Sequence, residues 1–392
     1  MAALLGPVRV LDLSTGQLSY CGRLLADLGA DVVLIEAPGG SAERRAAGGM
    51  SAAFAFSAAG KRSVTVNLCR PDGAALFARL ADLADVIIST ARPGELERQG
   101  LGHGTLLARN PGLVFASITP YGLRGPRRNW HGSDLTAWAS SGALPAYGDP
   151  DRAPLTPREG LALAAGALNA AMGIALALAA RDQSEHGQLV DISLQEAVLS
   201  VTQEFSAALA LDNGAPQKRY GKRRRSPPMG QYQARDGAVT IVAYTPWQWR
   251  ALAEWISDEV GTREVLNERY EGTPADRSPY VAELDSWIED LTAKYGKQEF
   301  SEEAQRRGIP VCPVNSVRDL LADPHLAATG SWISVPSPHG TVRMPAPALS
   351  VDGLPLPVGP IPAAGAHNTE ILAGELGLSD TELLRLQQAG VV

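Results

Sequence analysis

Cysteine is scarce in this chain. Cys21, Cys69 and Cys312 are odd in number and far apart. They supply neither a disulfide framework nor the paired spacing of a zinc site, and they suit a reducing compartment. A cytoplasmic location and no metal centre are therefore expected. Positive charge is also short: 35 Lys and Arg stand against 42 Asp and Glu, a formal net charge of −7. General binding to nucleic acid or to an anionic membrane needs a positive field, so both are excluded as partners. An anionic ligand must then be held by a local basic cluster. No G-x-G-x-x-G follows the first strand-like run, and neither G-x-S-x-G nor H-E-x-x-H occurs. Nicotinamide binding, elbow-serine hydrolysis and zincin chemistry are set aside on that ground.

A secretory opening is missing too, because Arg9 and Asp12 interrupt the first apolar run almost at once. The longest apolar stretch, Leu161 to Ala180, is rich in alanine and glycine and includes Asn169. Its length would cross a bilayer, but alanine-rich helices pack closely on sheets, and a buried core helix is expected. The chain shows no internal repeat and no low-complexity tract.

What is present reads as a globular α/β protein. At 392 residues the chain exceeds the usual size of one hydrophobic core, so two lobes are expected. Val8–Leu13, Asp31–Glu36, Ser63–Leu68, Asp85–Ser89 and Leu113–Ile118 read as strands. Helices alternate with them over Tyr20–Leu28, with Leu24, Leu25 and Leu28 on one face, and over Gly73–Leu83. Strands and helices in that alternation imply βαβ units and a parallel, doubly wound, Rossmann-like sheet. The run Lys218 to Arg225, followed by Ser226-Pro227-Pro228, reads as a linker into a second unit. Beyond it come a strand pair from Gln231, a helix rich in tryptophan (Trp247, Trp249, Trp255) and charged helices to Arg307. Pro336 to Pro362 reads as an extended returning connection, and Glu370 to Gln388 as a closing amphipathic helix. The expected division is a large domain over 1–225, a smaller α+β domain over 226–325, and a return to the large domain over 326–392.

Four stretches together resemble the family III CoA-transferases, which include formyl-CoA transferase, carnitine CoA-transferase and α-methylacyl-CoA racemase. The first is Arg9-Val10-Leu11-Asp12-Leu13-Ser14, continuing through Arg23 to Asp31-Val32 and on to Glu36 and Pro38-Gly39-Gly40. The second is Gly60-Lys61-Arg62-Ser63-Val64, leading to Arg92-Pro93-Gly94. The third is Asn110-Pro111 with Ser117-Ile118-Thr119, Gly122 and Gly125-Pro126. The fourth is Gly187-Gln188-Leu189-Val190-Asp191-Ile192-Ser193. Their order and spacing carry the likeness. It implies a large domain whose α/β sheet is built from both ends of the chain, and two protomers interlocked into a dimer.

The resemblance also implies a chemistry. An aspartate carboxylate attacks an acyl-CoA thioester, forms a mixed anhydride, and passes CoA to an acceptor carboxylate through an enzyme-bound thioester. Counting back from Asp191 puts Leu163 at that aspartate's position, and counting forward from Arg92-Pro93-Gly94 gives the same residue. Leucine cannot form an anhydride. The nearest carboxylates in sequence are Glu159, Asp151 and Asp149, of which Glu159 is the rescue candidate, although a solvated loop charge is its commoner reading. The racemase branch pairs the same aspartate with a histidine, whose position holds Ser133 here, with His131 close by.

For the CoA substrate the resemblance points to Gln17 after the first strand and to Arg98 at a phosphate-contacting position, with Arg70 standing beside Cys69 where the family keeps a lysine. His131 completes that set of candidates. Thr90-Ala91 replaces an Asn-Phe pair, and Leu18-Ser19-Tyr20 replaces smaller residues after Gln17. The basic run Lys218–Arg225 is either a solvated linker, the commoner fate of such runs, or an anion clamp. Trp247, Trp249 and Trp255 read as packing residues. Three functions stay open. The chain is the aspartate-lacking subunit of a heteromeric transferase, paired with an aspartate-bearing paralogue; or it is a CoA-dependent enzyme of altered chemistry (lyase, dehydratase or thioesterase); or it is a non-catalytic acyl-CoA-binding protein.

Overall fold

Short runs of β-branched and leucine residues form a six-stranded sheet from β1 (Arg9–Leu13), β2 (Asp31–Glu36), β5 (Arg62–Thr65), β6 (Val86–Ser89), β7 (Val114–Thr119) and β8 (Leu189–Ser193). β3 (Arg45–Ala46) and β4 (Gly49–Met50) make a separate small hairpin. The structure, a computed structural model, describes residues 4–46, 49–202, 219, 221, 227–352 and 354–392. The strand order is β5-β2-β1-β6-β7-β8, and every neighbouring pair is parallel. β6 and β7 are buried at every position, which parallel strands require because crossover helices cover both faces. The chain winds outward from β1 to β5, returns to β6 beside β1, and winds outward the other way. The fold is doubly wound α/β as the sequence indicates. Its direction reverses between β1 and β6, and ligands of such sheets bind at the carboxyl ends of the strands at that reversal.

Among the described residues, the helices between and beside these strands are α1 (Tyr20–Asp27), α2 (Ala52–Ala58), α3 (Pro71–Ala81), α4 (Glu95–Arg98), α5 (His103–Arg109), α6 (Asp134–Ser140), α7 (Leu161–Ser184) and α8 (Leu194–Val201). On α1 the buried face differs from the expected leucine stripe. Cys21, Gly22, Arg23, Leu25 and Asp27 are buried, while Leu24 and Leu28 are only half-buried. The reason is an internal ion pair: Arg23 Nε donates to Asp27 at 2.6 Å, and Arg23 Nη1 donates to the Phe56 carbonyl at 2.6 Å. Helix α7 is long and apolar enough to span a membrane by composition, and here it packs against α1, α8, β7 and β8.

The chain divides into two compact units, one of Met1–Leu144, Thr156–Asn213 and His325–Val392, the other of Pro145–Leu155 and Gly214–Pro324. In the second unit β9 (Gly230–Ala234), β10 (Gly237–Ile241) and β11 (Val311–Pro313) form an antiparallel sheet in the order β11-β10-β9. Against it lie α9 (Pro246–Val260), α10 (Val281–Thr292) and α11 (Lys297–Arg306). Trp249 and Trp255 are core residues, with Trp255 stacked on Phe300 at 4.6 Å. Trp247 is exposed, contrary to its reading as a packing residue. Most of the basic run Lys218–Arg225 lies outside the described residues. Its Arg219 is no solvated linker charge: it donates to the carbonyls of Asp149, Pro150 and Arg152 and holds that loop.

Among the described residues the sheet does not draw strands from both ends of the chain. All six come from residues 9–193, and the C-terminal end supplies cover. The stretch read as an extended connection contains the hairpin β12 (Trp332–Ser337) and β13 (Gly340–Pro345), whose Val335 and Met344 pack with Leu34, Phe54 and Ile361. The closing helix is also two pieces, a π-helical segment Thr369–Glu375 and α12 (Asp380–Gln388). Gly377 has φ +73° and breaks the run. Ile371, Leu372, Leu383 and Leu386 from these pieces join Phe77, Leu80 and Ile87 in one core.

Candidate active site

The turn after β1 is shaped by a buried ion pair. Lys61 Nζ donates at 2.7 Å to Asp12 Oδ2, to the Ser19 carbonyl and to the Ser19 hydroxyl. Both charged side chains are wholly buried, which is tolerated only when the pair is hydrogen-bonded throughout. Asp12 accepts further from the Ser14 N–H at 2.9 Å and from the Ser14 hydroxyl. A Cβ at position 22 would lie 2.2 Å from Asp12 Oδ2, so α1 approaches this closely only with glycine there. Asp12 and Lys61 belong to two of the motif stretches, and together they fix residues 14–19 at the carboxyl end of β1. Across the reversal the Thr15 N–H donates to Thr90 Oγ1 at 3.1 Å, and the two hydroxyls are 3.2 Å apart. Thr90, read from sequence as a departure from the Asn-Phe pattern, ties the turn after β1 to the turn after β6.

Gln17 lies against the N-terminus of α7. A Cβ at residue 160 would stand 1.8 Å from Gln17 Oε1, and Gly160 has φ +99°, so both space and backbone demand glycine. That glycine is the N-cap of α7 and has no side chain to accept from the helix's first N–H groups. Asp134 supplies the acceptor from the start of α6. Its Oδ1 accepts from Ala162 N–H at 2.9 Å and from Leu163 N–H at 3.2 Å. Asp134 is 8% exposed, and no hydrogen bond is recorded to its Oδ2 among the described residues. Leu163 is half-buried in the first turn of α7. Gln17, Gly160, Asp134 and Leu163 thus form one constellation, in which an apolar side chain and a carboxylate share a helix N-terminus.

Asp134 follows Ser133 directly and is not among the site candidates that the sequence offers. The local signal it carries is a helix start: Ser133 caps α6 and pairs with Thr136 in a capping box. Nothing in the sequence ties it to α7. The other candidates follow the carboxyl ends of neighbouring strands. Arg70 precedes α3 after β5, Arg98 ends α4 after β6, and His131 lies in the connection after β7. All three are exposed, and no charged or hydrogen-bonding partner of their side chains is present among the described residues. Glu159 is exposed beside Gly160 and likewise unpaired. It is not the carboxylate that meets Leu163; Asp134 is. A second nearby carboxylate is Glu43, whose Oε1 would lie 3.9 Å from a Cβ on Gly16 in the turn before Gln17. Asp191, the anchor of the fourth motif, accepts from the Leu123 N–H at 3.0 Å through each oxygen and pins the loop that leads to Asp134.

The profile of CoA-transferase family III matches residues 5–368. Succinyl-CoA–D-citramalate CoA-transferase of Chloroflexus aurantiacus is 30% identical over 396 residues, covering 99% of this chain and 98% of its own length. The beta subunit of succinyl-CoA–L-malate CoA-transferase from the same organism is 30% identical over 401 residues, again covering 99% of this chain and 98% of its own. A solved CaiB/BaiF family protein from Brucella suis superposes with a TM-score of 0.84 at 26% identity, over 94% of this chain and 98% of that one. Sequence and fold agree along almost the full length, and the chain belongs to CoA-transferase family III.

Proposed function

We propose that this chain binds acyl-CoA at the carboxyl edge of its parallel sheet and works as the aspartate-lacking subunit of a heteromeric CoA-transferase. The observation that carries the reading is Leu163, an apolar side chain in the first turn of α7 where the resemblance places the nucleophilic aspartate. Hydrocarbon has no lone pair with which to open a thioester, so in this reading the attacking carboxylate comes from another chain. The relative named as a beta subunit supports an assembly of unlike subunits. In this reading Gln17, Arg70, Arg98 and His131 contact CoA, an acceptor carboxylate completes the exchange, and an interlocked partner protomer carries the aspartate. The apolar residues that α7 leaves exposed are consistent with such a partner.

The test is mass spectrometry of CoA exchange between an acyl-CoA and a labelled carboxylic acid. The chain alone should give no exchange, and co-purification with an aspartate-bearing paralogue should restore it. Turnover by the chain alone, with a hydroxylamine-sensitive acyl adduct on its own residue, would overturn the reading.

Asp134 favours a second reading, in which this chain is an enzyme in its own right. Its Oδ2, which accepts no hydrogen bond among the described residues, is a carboxylate oxygen close to the family's nucleophile position. Attack on the thioester carbon would expel CoA thiolate and leave a mixed anhydride on Asp134. Borohydride or hydroxylamine trapping followed by peptide mapping separates the readings, since only the second predicts modification at Asp134.

A further inference from the structure

The buried pair of Asp12 and Lys61 has its bonding capacity fully taken up. An ammonium has three N–H donors, and Lys61 Nζ uses them at 2.7 Å on Asp12 Oδ2, the Ser19 carbonyl and the Ser19 hydroxyl. Asp12 Oδ1 accepts from the Ser14 N–H at 2.9 Å and from the Ser14 hydroxyl. Oδ2 accepts from Lys61 and, at 3.4 Å, from the Ser19 hydroxyl. Neither side chain has any exposed surface. The pair therefore meets no ligand itself, and its contacts go to the two ends of one turn, Ser14 and Ser19.

Between those ends the chain makes a single helical turn over Gly16–Ser19, entered through Gly16 at φ +60°. From this turn Gln17 reaches the N-terminus of α7. Gly160 meets it with backbone alone, and a Cβ there would already stand 1.8 Å from Gln17 Oε1. No side chain at residue 160 can follow Gln17 if the turn moves. A displacement of about 1 Å is enough to spoil a group that works by position. Stability is a weak reason for keeping such a pair, since neutral residues of similar volume often replace buried ions at no loss. Placement is the stronger one: both ions are saturated by residues 14 and 19, so only one position of the turn satisfies them.

We propose that Asp12 and Lys61 are positioning residues for Gln17, and that their ion pair sets the turn after β1 against the N-terminus of α7. This role rests on the acyl-CoA reading, in which Gln17 contacts the ligand, and adds what holds Gln17 in place to do so. It also gives a physical reason for two of the motif stretches to occur together, since Asp12 lies in the first and Lys61 in the second. A pair that only stabilised the fold would act on ligand affinity without regard to Gln17. A positioning pair acts on it only while Gln17 is present.

A double-mutant cycle on the full chain tests this, with CoA titrated by calorimetry and urea unfolding run on the same samples. D12N/K61M removes both charges at similar volume and leaves an amide oxygen to accept from Ser14. It should fold and bind CoA about tenfold more weakly than the wild type. Q17A should weaken CoA by a similar factor, and D12N/K61M/Q17A should be no weaker than Q17A. S14A/S19A keeps the ion pair and cuts its side-chain ties to both ends of the turn, so it reads the same coupling if D12N/K61M does not fold. Its loss of affinity should be smaller and should also vanish in the Q17A background. Wild-type affinity in either folded variant, or losses that multiply with that of Q17A, would overturn the positioning role and leave the acyl-CoA reading standing. Unchanged affinity in Q17A would overturn the role as well, and a wild-type chain that does not bind CoA would overturn both.

Discussion

Asp134 and Leu163, on different helices, are joined by a hydrogen bond of 3.2 Å from the Leu163 N–H to the Asp134 carboxylate, beside one of 2.9 Å from Ala162. Residue 160 is the N-cap of α7 but must be glycine to clear Gln17, so the helix takes its cap from a distant carboxylate. An anion at a helix N-terminus is also favoured by the helix dipole. Asp134→Ala should therefore destabilise the fold by about 1–3 kcal/mol, read from urea unfolding. Asp134→Asn keeps an acceptor oxygen and should lose less. Equal stability of the alanine variant and the wild type would show that solvent caps α7 instead.

The doubly wound sheet was legible because buried strands such as Val86–Ser89 are short apolar runs set between helices. The motif stretches were legible as a pattern, yet their physical reason was not. Asp12 and Lys61 are far apart in sequence, and only the packed sheet shows that they share one proton-rich contact with Ser19. The burial of Arg23 on α1 was missed because a charge at that spacing reads as solvated until its partner Asp27 is seen to be buried with it. Asp134 was missed for the same kind of reason. Its local sequence describes the start of α6, and its contact with α7 is set by tertiary packing.

Arg98 separates binding from folding. Its guanidinium is exposed without an acidic partner among the described residues, and Nη1 lies near Gly94. If it holds a CoA phosphate, Arg98→Ala should weaken CoA binding about ten- to a hundredfold and leave the melting temperature almost unmoved. A structural role in the turn after Gly94 would give the reverse, with lower melting and unchanged affinity. Calorimetric titration and a thermal melt on the same sample distinguish the two.

Acid sensitivity should localise partly to Glu36. Burial opposes its ionisation, but the Arg44 guanidinium, the Ser41 N–H at 2.8 Å and the Ser63 hydroxyl at 2.7 Å outweigh it and hold the carboxyl below its ordinary value of 4.5. Folding thus prefers the ionised form. The stability this contributes is complete above pH 4.5 and is lost as pH falls through the lower folded-state value. Glu36→Gln should flatten the decline of stability with acid, measured by unfolding from about pH 6 down to about pH 3. An identical slope in variant and wild type would remove Glu36 from the account.

Helix α7 gives the test of assembly. Ala162, Ala165, Ala170, Ile174 and Ala177 are buried, while Leu168, Met172 and Leu176 are each more than half exposed. Residues spaced by four share one helix face, so these three form an apolar stripe opposite the packed side. Hydropathy alone cannot tell such a helix from a membrane span, because both its packed and its open faces are apolar. A stripe of this kind left in water is costly at about 25 cal/mol per Å² of apolar surface, and a second protomer would cover it in the interlocked dimer we propose. Size-exclusion chromatography with light scattering should then give twice the 41.3 kDa chain mass, or a heteromer with a paralogue. Leu168→Glu with Met172→Glu should shift the species to smaller mass or to aggregate, with the inward-facing alanines untouched. A wild-type chain that stays folded, soluble and monomeric at micromolar concentration would rule out the interlocked assembly, and the exposed face of α7 would then need another occupant.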